Sequence, residues 1–208
     1  MKIISIWNPK GGQGKSLFAV NLAAAACQVD LKPMVICRDP QGTAMLFYRN
    51  GNLPFEVLPD IPTTRPDCDV IFIDHMASDW DIPPAPIVVV PTKAVRSDVA
   101  TFADALAKLR NTGKYVIPVV TDANISRKSE KRAVQSLKKV GAFEVASSVV
   151  FADAAETYRT IFDSALNKSY NVDKRRQDIR AILSAVLNAQ SQNSLIEAGP
   201  ELKEAVHG

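Results

Sequence analysis

Cysteine is scarce in this chain and odd in number: Cys27, Cys37 and Cys68 among 208 residues. All three lie in or beside apolar runs, and no metal-ligand spacing joins them. That argues against a redox or iron–sulfur role and reads as three reduced, buried thiols of a cytosolic protein. No apolar run is long enough to span a bilayer. No signal peptide is visible, because Met1 runs almost at once into a strand. No internal repeat and no linker divides the chain. Charge of one sign is lacking too, with a net value of +3. What is present is ordinary for a globular protein: 47% hydrophobic and 23% charged residues, over a length that suits one α/β domain with a real core.

Short apolar runs alternate with helical periods, which predicts a mostly parallel, twisted sheet flanked by helices on both faces. Strands are expected at Ile3–Trp7, Met34–Cys37, Val70–Ile73, Ile87–Val90 and Tyr115–Val120, with a weaker one at Ser147–Val150. They are rich in Ile and Val without polar alternation, as buried parallel strands are. Helices are expected at Lys15–Gln28, Asp98–Arg110, Ser129–Val140, Ala152–Leu166 and Val172–Ala189. Asn50 to Pro66 reads as a proline-rich connection. The expected division is a single domain over residues 1–189 and a polar tail over 190–208 that frays.

The most informative stretch is Asn8-Pro9-Lys10-Gly11-Gly12-Gln13-Gly14-Lys15-Ser16. It sits between the first strand and the first helix. Glycines let backbone N–H groups converge on phosphate oxygens without a Cβ in the way. The helix N-terminus adds free donors and the positive end of its dipole. Lys15 would reach β/γ-phosphates, and the Ser16 hydroxyl would hold Mg²⁺. The strict pattern G-x-x-x-x-G-K-[ST] is not met, since Pro9 stands at its first glycine. The loop carries a second lysine instead, Lys10. The segment closely resembles K-G-G-x-G-K-[ST], the deviant Walker A motif of the ParA/MinD group of P-loop ATPases. On that resemblance Lys10, Gly11, Gly12, Gln13, Gly14, Lys15, Ser16 and Leu17 are the nucleotide-binding residues, and ATP and Mg²⁺ the cofactors.

Two further segments carry the resemblance. Asp39-Pro40-Gln41-Gly42 is similar to the end of the group's D-x-D-P-Q-G, with Cys37 where its first aspartate belongs. Asp39 is then the catalytic aspartate, beside the P-loop at a strand end, where ligands bind in open α/β sheets. Asp69-Val70-Ile71-Phe72-Ile73-Asp74 resembles a Walker B strand. Its Asp74 would join Ser16 and Asp39 around Mg²⁺. The catalytic set implied is Lys10, Lys15 and Asp39. His75 reads as a loop residue facing a partner rather than as a general base. Val88-Val89-Val90-Pro91-Thr92 also matches the group, and Ser97-Asp98 is expected to cap the following helix. Thr121-Asp122-Ala123-Asn124 occupies the place where the group frames adenine.

Between Arg127 and Arg180 there are twelve Lys/Arg and seven Asp/Glu. The candidate DNA-binding residues are Arg127, Lys128, Lys131, Arg132, Lys174, Arg175 and Arg176. They would contact phosphates without reading bases. The resemblance is to the small ParA type, since the chain begins at the P-loop strand. It implies a weak, partner-stimulated ATP hydrolase for DNA partition or cargo positioning. Such a protein forms an ATP-sandwich homodimer, with Lys10 reaching across to the other subunit's phosphates. It binds non-specific DNA and a centromere-binding or adaptor protein, and it is cytoplasmic and nucleoid-associated, not membrane-bound. Alternatives are a MinD-like membrane-cycling ATPase, which needs a basic amphipathic C-terminal helix, and a metabolic P-loop enzyme. The tail's Glu197, Glu201 and Glu204 argue against the former, because acidic charge opposes anionic lipid.

Overall fold

The structure is a computed structural model and describes residues 1–189. The expected tail, 190–208, lies outside the described residues. Seven strands form one sheet: β1 (Lys2–Ile6), β2 (Pro33–Cys37), β3 (Glu56–Leu58), β4 (Val70–Asp74), β5 (Ile87–Lys93), β6 (Tyr115–Ala123) and β7 (Phe143–Ala146). Their order is β3-β2-β4-β1-β5-β6-β7, and every pairing is parallel. Each strand therefore starts at one edge of the sheet and ends at the other. The strand C-termini gather along one rim, with β1 in the middle.

Among the described residues six α-helices flank the sheet, the last two following β7: α1 (Lys15–Cys27), α2 (Thr43–Asn50), α3 (Arg96–Leu109), α4 (Lys128–Lys139), α5 (Val149–Glu156) and α6 (Val172–Asn188). The sheet's period of two sorts its side chains. Ile4, Val35, Phe72, Val89 and Val119 point to the face packed by α1 and α6. Val88, Val90 and Val120 point to the face packed by α3 and α4. α1 is apolar on all sides and nearly everything in it is buried, which marks a helix enclosed by its neighbours rather than an amphipathic surface one. Its one buried amide, Asn21, accepts a hydrogen bond from the Ile161 N–H at 3.0 Å and so ties a distant turn to the core.

Several expectations need correction. The strand at Ser147–Val150 is instead β7, Phe143–Ala146, and Val149–Val150 open α5. At the sheet's edge β7 is only half-buried, so it lacks the unbroken apolar run of a central strand. The helix over Ala152–Leu166 stops at Glu156. Tyr158 takes a left-handed backbone (φ +53°), and a single 3₁₀ turn follows at Ser164–Leu166. The intervening carbonyls of Ile161 and Asp163 accept from the Arg176 guanidinium at 2.7 and 3.1 Å. Those tertiary bonds outweigh the local helix preference. The connection at Asn50–Pro66 contains β3, held by buried Val57 beside β2, and is preceded by α2. Gly51 ends α2 where an added Cβ would stand 2.1 Å from the Tyr158 carbonyl oxygen. The chain needs glycine there for a close approach of two backbones.

Candidate active site

β1, β2 and β4 deliver their C-terminal ends side by side, and the residues that follow them meet at one place. After β1 the loop from Asn8 to Gly14 folds tightly. Asn8 is buried. It donates to the Pro91 carbonyl at 2.7 Å and accepts from the Lys10 N–H at 2.8 Å. Gly12 and Gly14 adopt positive φ, +73° and +82°. There an L side chain is strained, so glycine sets the curvature. α1 begins on Gly14 with no capping side chain and no acidic residue in its first turn. Its free N–H groups and dipole are left for an anion from outside the chain.

The Lys15 ammonium donates to the Lys10 carbonyl at 3.1 Å, closing the loop. Burial lowers its pKa, against the pull of the Asp74 and Asp39 charges. Asp74 ends β4, opposite Cys37 in register on β2. It is fully buried; the Ser16 hydroxyl lies near enough to favour its charged form, but neither carboxylate oxygen has a hydrogen bond of good geometry among the described residues. Burial pushes its pKa up to about 7; the Ser16 hydroxyl and Lys15 pull it down, and Asp39 pushes it up further. Asp39 holds its own turn, accepting from the Gln41 N–H at 2.9 Å. The Cys37 thiol is buried and its pKa raised, by desolvation first and by Asp74 second.

A carboxylate so buried is costly; its raised pKa and the nearby Lys15 ammonium relieve it in part, and a bound cation would relieve it further. Among the described residues no group of three or more His, Cys, Asp or Glu is placed to hold a metal ion. Ser16, Asp39 and Asp74 are hard oxygen donors, too few for a closed cage. They suit Mg²⁺, which takes one or two carboxylates together with substrate phosphates and waters. The residues present therefore fit both a triphosphate and Mg²⁺.

Lys10 reaches the start of α3 in its own chain. Its ammonium pairs with Asp98 and lies 3.0 Å from the Ser97 hydroxyl. Gln13 completes the knot: its amide NH₂ donates to Asp98 at 3.2 Å, and its carbonyl accepts from the Lys93 N–H at 2.8 Å. Burial raises the Asp98 pKa, but hydrogen bonds from Lys10 and Gln13 outweigh it, and the carboxyl stays below its usual range. The expected cap of α3 by Ser97 and Asp98 does not form. The helix starts at Arg96, its N-cap is Val95, and no side chain caps it. The Asp98 side chain turns to the P-loop instead.

His75 does not face a partner. Its ring is buried, with Nε2 2.9 Å from the Ser5 hydroxyl and Nδ1 3.5 Å from Asp79. Burial lowers its pKa more than Asp79 raises it. The imidazole anchors the loop after β4 to β1.

The basic residues divide. Arg127, Lys128, Lys131 and Arg132 are exposed around the start of α4. Arg127 pairs with Glu130 at 2.8 Å. With Arg96 and Lys139, Arg127 and Arg132 border an open groove of about 790 Å³ between α3 and α4. Lys174 is also exposed, but Arg175 and Arg176 are not available to DNA as expected. Arg175 is 4% exposed, donates to the Ala146 carbonyl at 2.8 Å and pairs with Asp178 at 3.1 Å. Arg176 also bonds the Asn167 side chain, at 2.8 Å. Both are internal clamps, because a guanidinium's fork of donors suits several carbonyls at once.

A cavity of about 310 Å³ opens from Gly12 and Gly14 toward the ends of β6 and β7. Thr121 and Asp122 line it, at the place expected to frame a base. Ser147, Ser148 and Phe151 also line it, and the sequence gives no hint of them. No local motif marks them, since only the β7–α5 turn brings them there.

No family model matches the chain, and no curated protein matches its sequence. Solved structures do. The ATP complex of a variant of Cyanothece McdA is 17% identical with a TM-score of 0.64, covering 91% of this chain and 97% of its own. A Borrelia burgdorferi B31 protein described as a plasmid partition protein, bound to AMPPNP, is 17% identical with a TM-score of 0.68, covering 88% and 98%. The septum site-determining protein MinD of Pyrococcus horikoshii OT3, complexed with Mg-ADP, is 13% identical with a TM-score of 0.67, covering 90% and 97%. The seven-stranded parallel α/β fold is shared with these solved structures.

Proposed function

We propose that this chain is a nucleoside triphosphatase of the ParA/MinD kind, binding ATP with Mg²⁺ and hydrolysing it slowly until a partner stimulates it. The observation that carries the reading is the Asp74 carboxylate, buried without a hydrogen bond of good geometry beside Ser16 and Lys15 under an uncapped helix N-terminus. The site supplies positive charge from Lys15, phosphate-directed N–H groups from Gly11 to Ser16, and oxygen ligands from Ser16, Asp39 and Asp74. Mg²⁺, when bound, neutralises phosphate charge and fixes the geometry of the triphosphate. Asp39 orients the attacking water. No strong base is required, because phosphoryl transfer depends on positioning and charge stabilisation. Leu17, Gly12 and Gly14 line the cavity beside the phosphate loop.

In this reading Lys10 exchanges its bond to Asp98 for the phosphates of a second subunit, so the active form is an ATP-bound homodimer. The dimer holds DNA non-specifically through Arg127, Lys128, Lys131, Arg132 and Lys174. A centromere-binding or adaptor protein triggers hydrolysis and release, and the protein works in the cytoplasm on the nucleoid. No helix among the described residues is long and apolar enough to cross a membrane. The test is a nucleotide titration followed by sedimentation. Native protein binds Mg–ATP and doubles in mass, whereas Lys15→Ala does neither. Equal ATP affinity in Lys15→Ala sinks the P-loop assignment.

A further inference from the structure

Three glutamates of the tail have no part in the function proposed above. Residues 190–208 carry Glu197, Glu201 and Glu204 against the single Lys203, with Leu195, Ile196, Leu202 and Val206 among them. The groove between α3 and α4 has the opposite character. Arg96, Arg127, Arg132 and Lys139 stand along it, all exposed, over a floor that includes Val95 and Ala133. Among the described residues its one acid is Glu130, and that charge is already matched. Glu130 is buried, accepts from the Asn124 N–H at 2.8 Å and pairs with Arg127 at 2.8 Å. Arg96, Arg132 and Lys139 pair with no carboxylate among the described residues. Unmatched cations lining one channel focus a positive potential there and draw an acidic segment into it.

The path of the chain lets the two meet. The Ala189 carbonyl accepts from Lys2 Nζ at 2.8 Å, so the tail departs from the rim where β1 begins. α4 ends at Lys139, just before β7 begins at Phe143, which puts Lys139 at that same rim. The route passes from the α6 face to the α4 face, on the order of 30 Å by strand and helix-layer spacings. A chain as long as residues 190–208 reaches about 60 Å when extended. We infer that the acidic tail docks in the α3–α4 groove of its own chain and competes there with nucleic-acid phosphates for Arg127 and Arg132. The competition rests on the reading of α4 as a DNA surface; the docking does not. Tethering holds the tail near the groove at roughly millimolar effective concentration, so contacts too weak for a separate peptide are made. A lone subunit is thereby kept off DNA, whereas a dimer offers a duplex enough cations to displace both tails.

The test is zero-length carbodiimide cross-linking of the full chain at low salt, read by mass spectrometry on a mixture of isotopically labelled and unlabelled protein. Lys139 is expected to form an amide with Glu197, Glu201 or Glu204 of its own chain, and high salt or duplex DNA to suppress the link. Glu197→Gln, Glu201→Gln and Glu204→Gln together raise duplex affinity by about three- to tenfold at low salt, the scale of a few exposed ion pairs. The gain disappears when Arg96→Ala and Lys139→Ala are added, two groove residues outside the proposed DNA contacts. No link from Lys139 to the tail, or links only between labelled and unlabelled chains, overturns the inference. A link within one chain, with duplex affinity indifferent to the tail glutamates, overturns the competition and upholds the docking. Absence of any duplex binding overturns the DNA reading of α4, and the cross-link still decides the docking.

Discussion

Asp74 is a charge placed where water cannot reach it, and this has a measurable consequence without any nucleotide. Its carboxyl has an ordinary value of 3.8 and a folded value of about 7. Between those values the folded chain binds more protons than the unfolded chain. The group's contribution to stability is therefore complete at the acid end and declines as pH rises from about 4 to about 7, by a few kcal/mol at most. Asp74→Asn carries no charge at any pH. Melting temperatures of the two proteins, compared from about pH 5 to about pH 7 without Mg²⁺, are expected to show native losing ground to Asp74→Asn as pH rises. A constant gap would mean the carboxylate already has a counter-charge. Lys10 gives a second prediction at this scale. Lys10→Ala loses the pair with Asp98 but no part of the Lys15 grip, so it binds ATP and fails to dimerise or turn over normally. A mutant that dimerises with ATP and hydrolyses at the native rate would remove the trans role. Cys37 stands where the resembled motif has an aspartate. A neutral thiol opposite Asp74 spares that carboxylate one more negative neighbour.

Among the elements, α6 is the one whose role the charge pattern misassigns. Lys174, Arg175 and Arg176 look alike in sequence, yet helical geometry points only Lys174 to solvent. Arg176 bonds the carbonyls of Ile161 and Asp163, and Arg175 bonds that of Ala146. Arg176→Ala is expected to lower stability by about 1–3 kcal/mol, since it leaves two partly buried carbonyls unpaired. Lys174→Ala should change it by no more than about 0.5 kcal/mol. Chemical denaturation of the two variants checks this, and equal stabilities would deny Arg176 its clamp. The central strands and the P-loop are legible because they depend on local signals: β-branched runs, glycines at set spacing, a carboxylate at a strand end. β7, the stop of α5 at Glu156, the Asp98 pairing with Lys10 and the Ser147 bond to Asp122 are not. Each is decided by a partner far away in the chain, and a half-buried edge strand has too few apolar residues to announce itself. His75 misleads for the same reason, since nothing beside it in sequence reveals Ser5.

For the whole molecule, the exposed basic surface centres on α4 rather than α6. Arg127, Lys128, Lys131 and Arg132 present their charges from one helix start, and two subunits joined by ATP would double them against one duplex. DNA affinity measured across salt concentrations should fall steeply in the presence of ATP. Replacing Lys128, Lys131 and Arg132 together by Ala is expected to flatten the log–log slope by roughly 0.9 for each phosphate these residues neutralise. An unchanged slope would leave α4 as a solvated face. The strand order holds one more implication. β1, β2 and β4, with the carboxylates of Asp39 and Asp74 at their ends, come from residues 2–74, whereas the polar groups that line the adjoining cavity, Thr121, Asp122 and Ser147, come from β6 and the turn after β7. Leu17 and Phe18 lend that far chamber an apolar wall, but its chemistry is written in the later half of the gene. Mutation or recombination downstream of Asp74 would therefore reshape the cavity beside the P-loop while leaving the P-loop, Asp39 and Asp74 as they are.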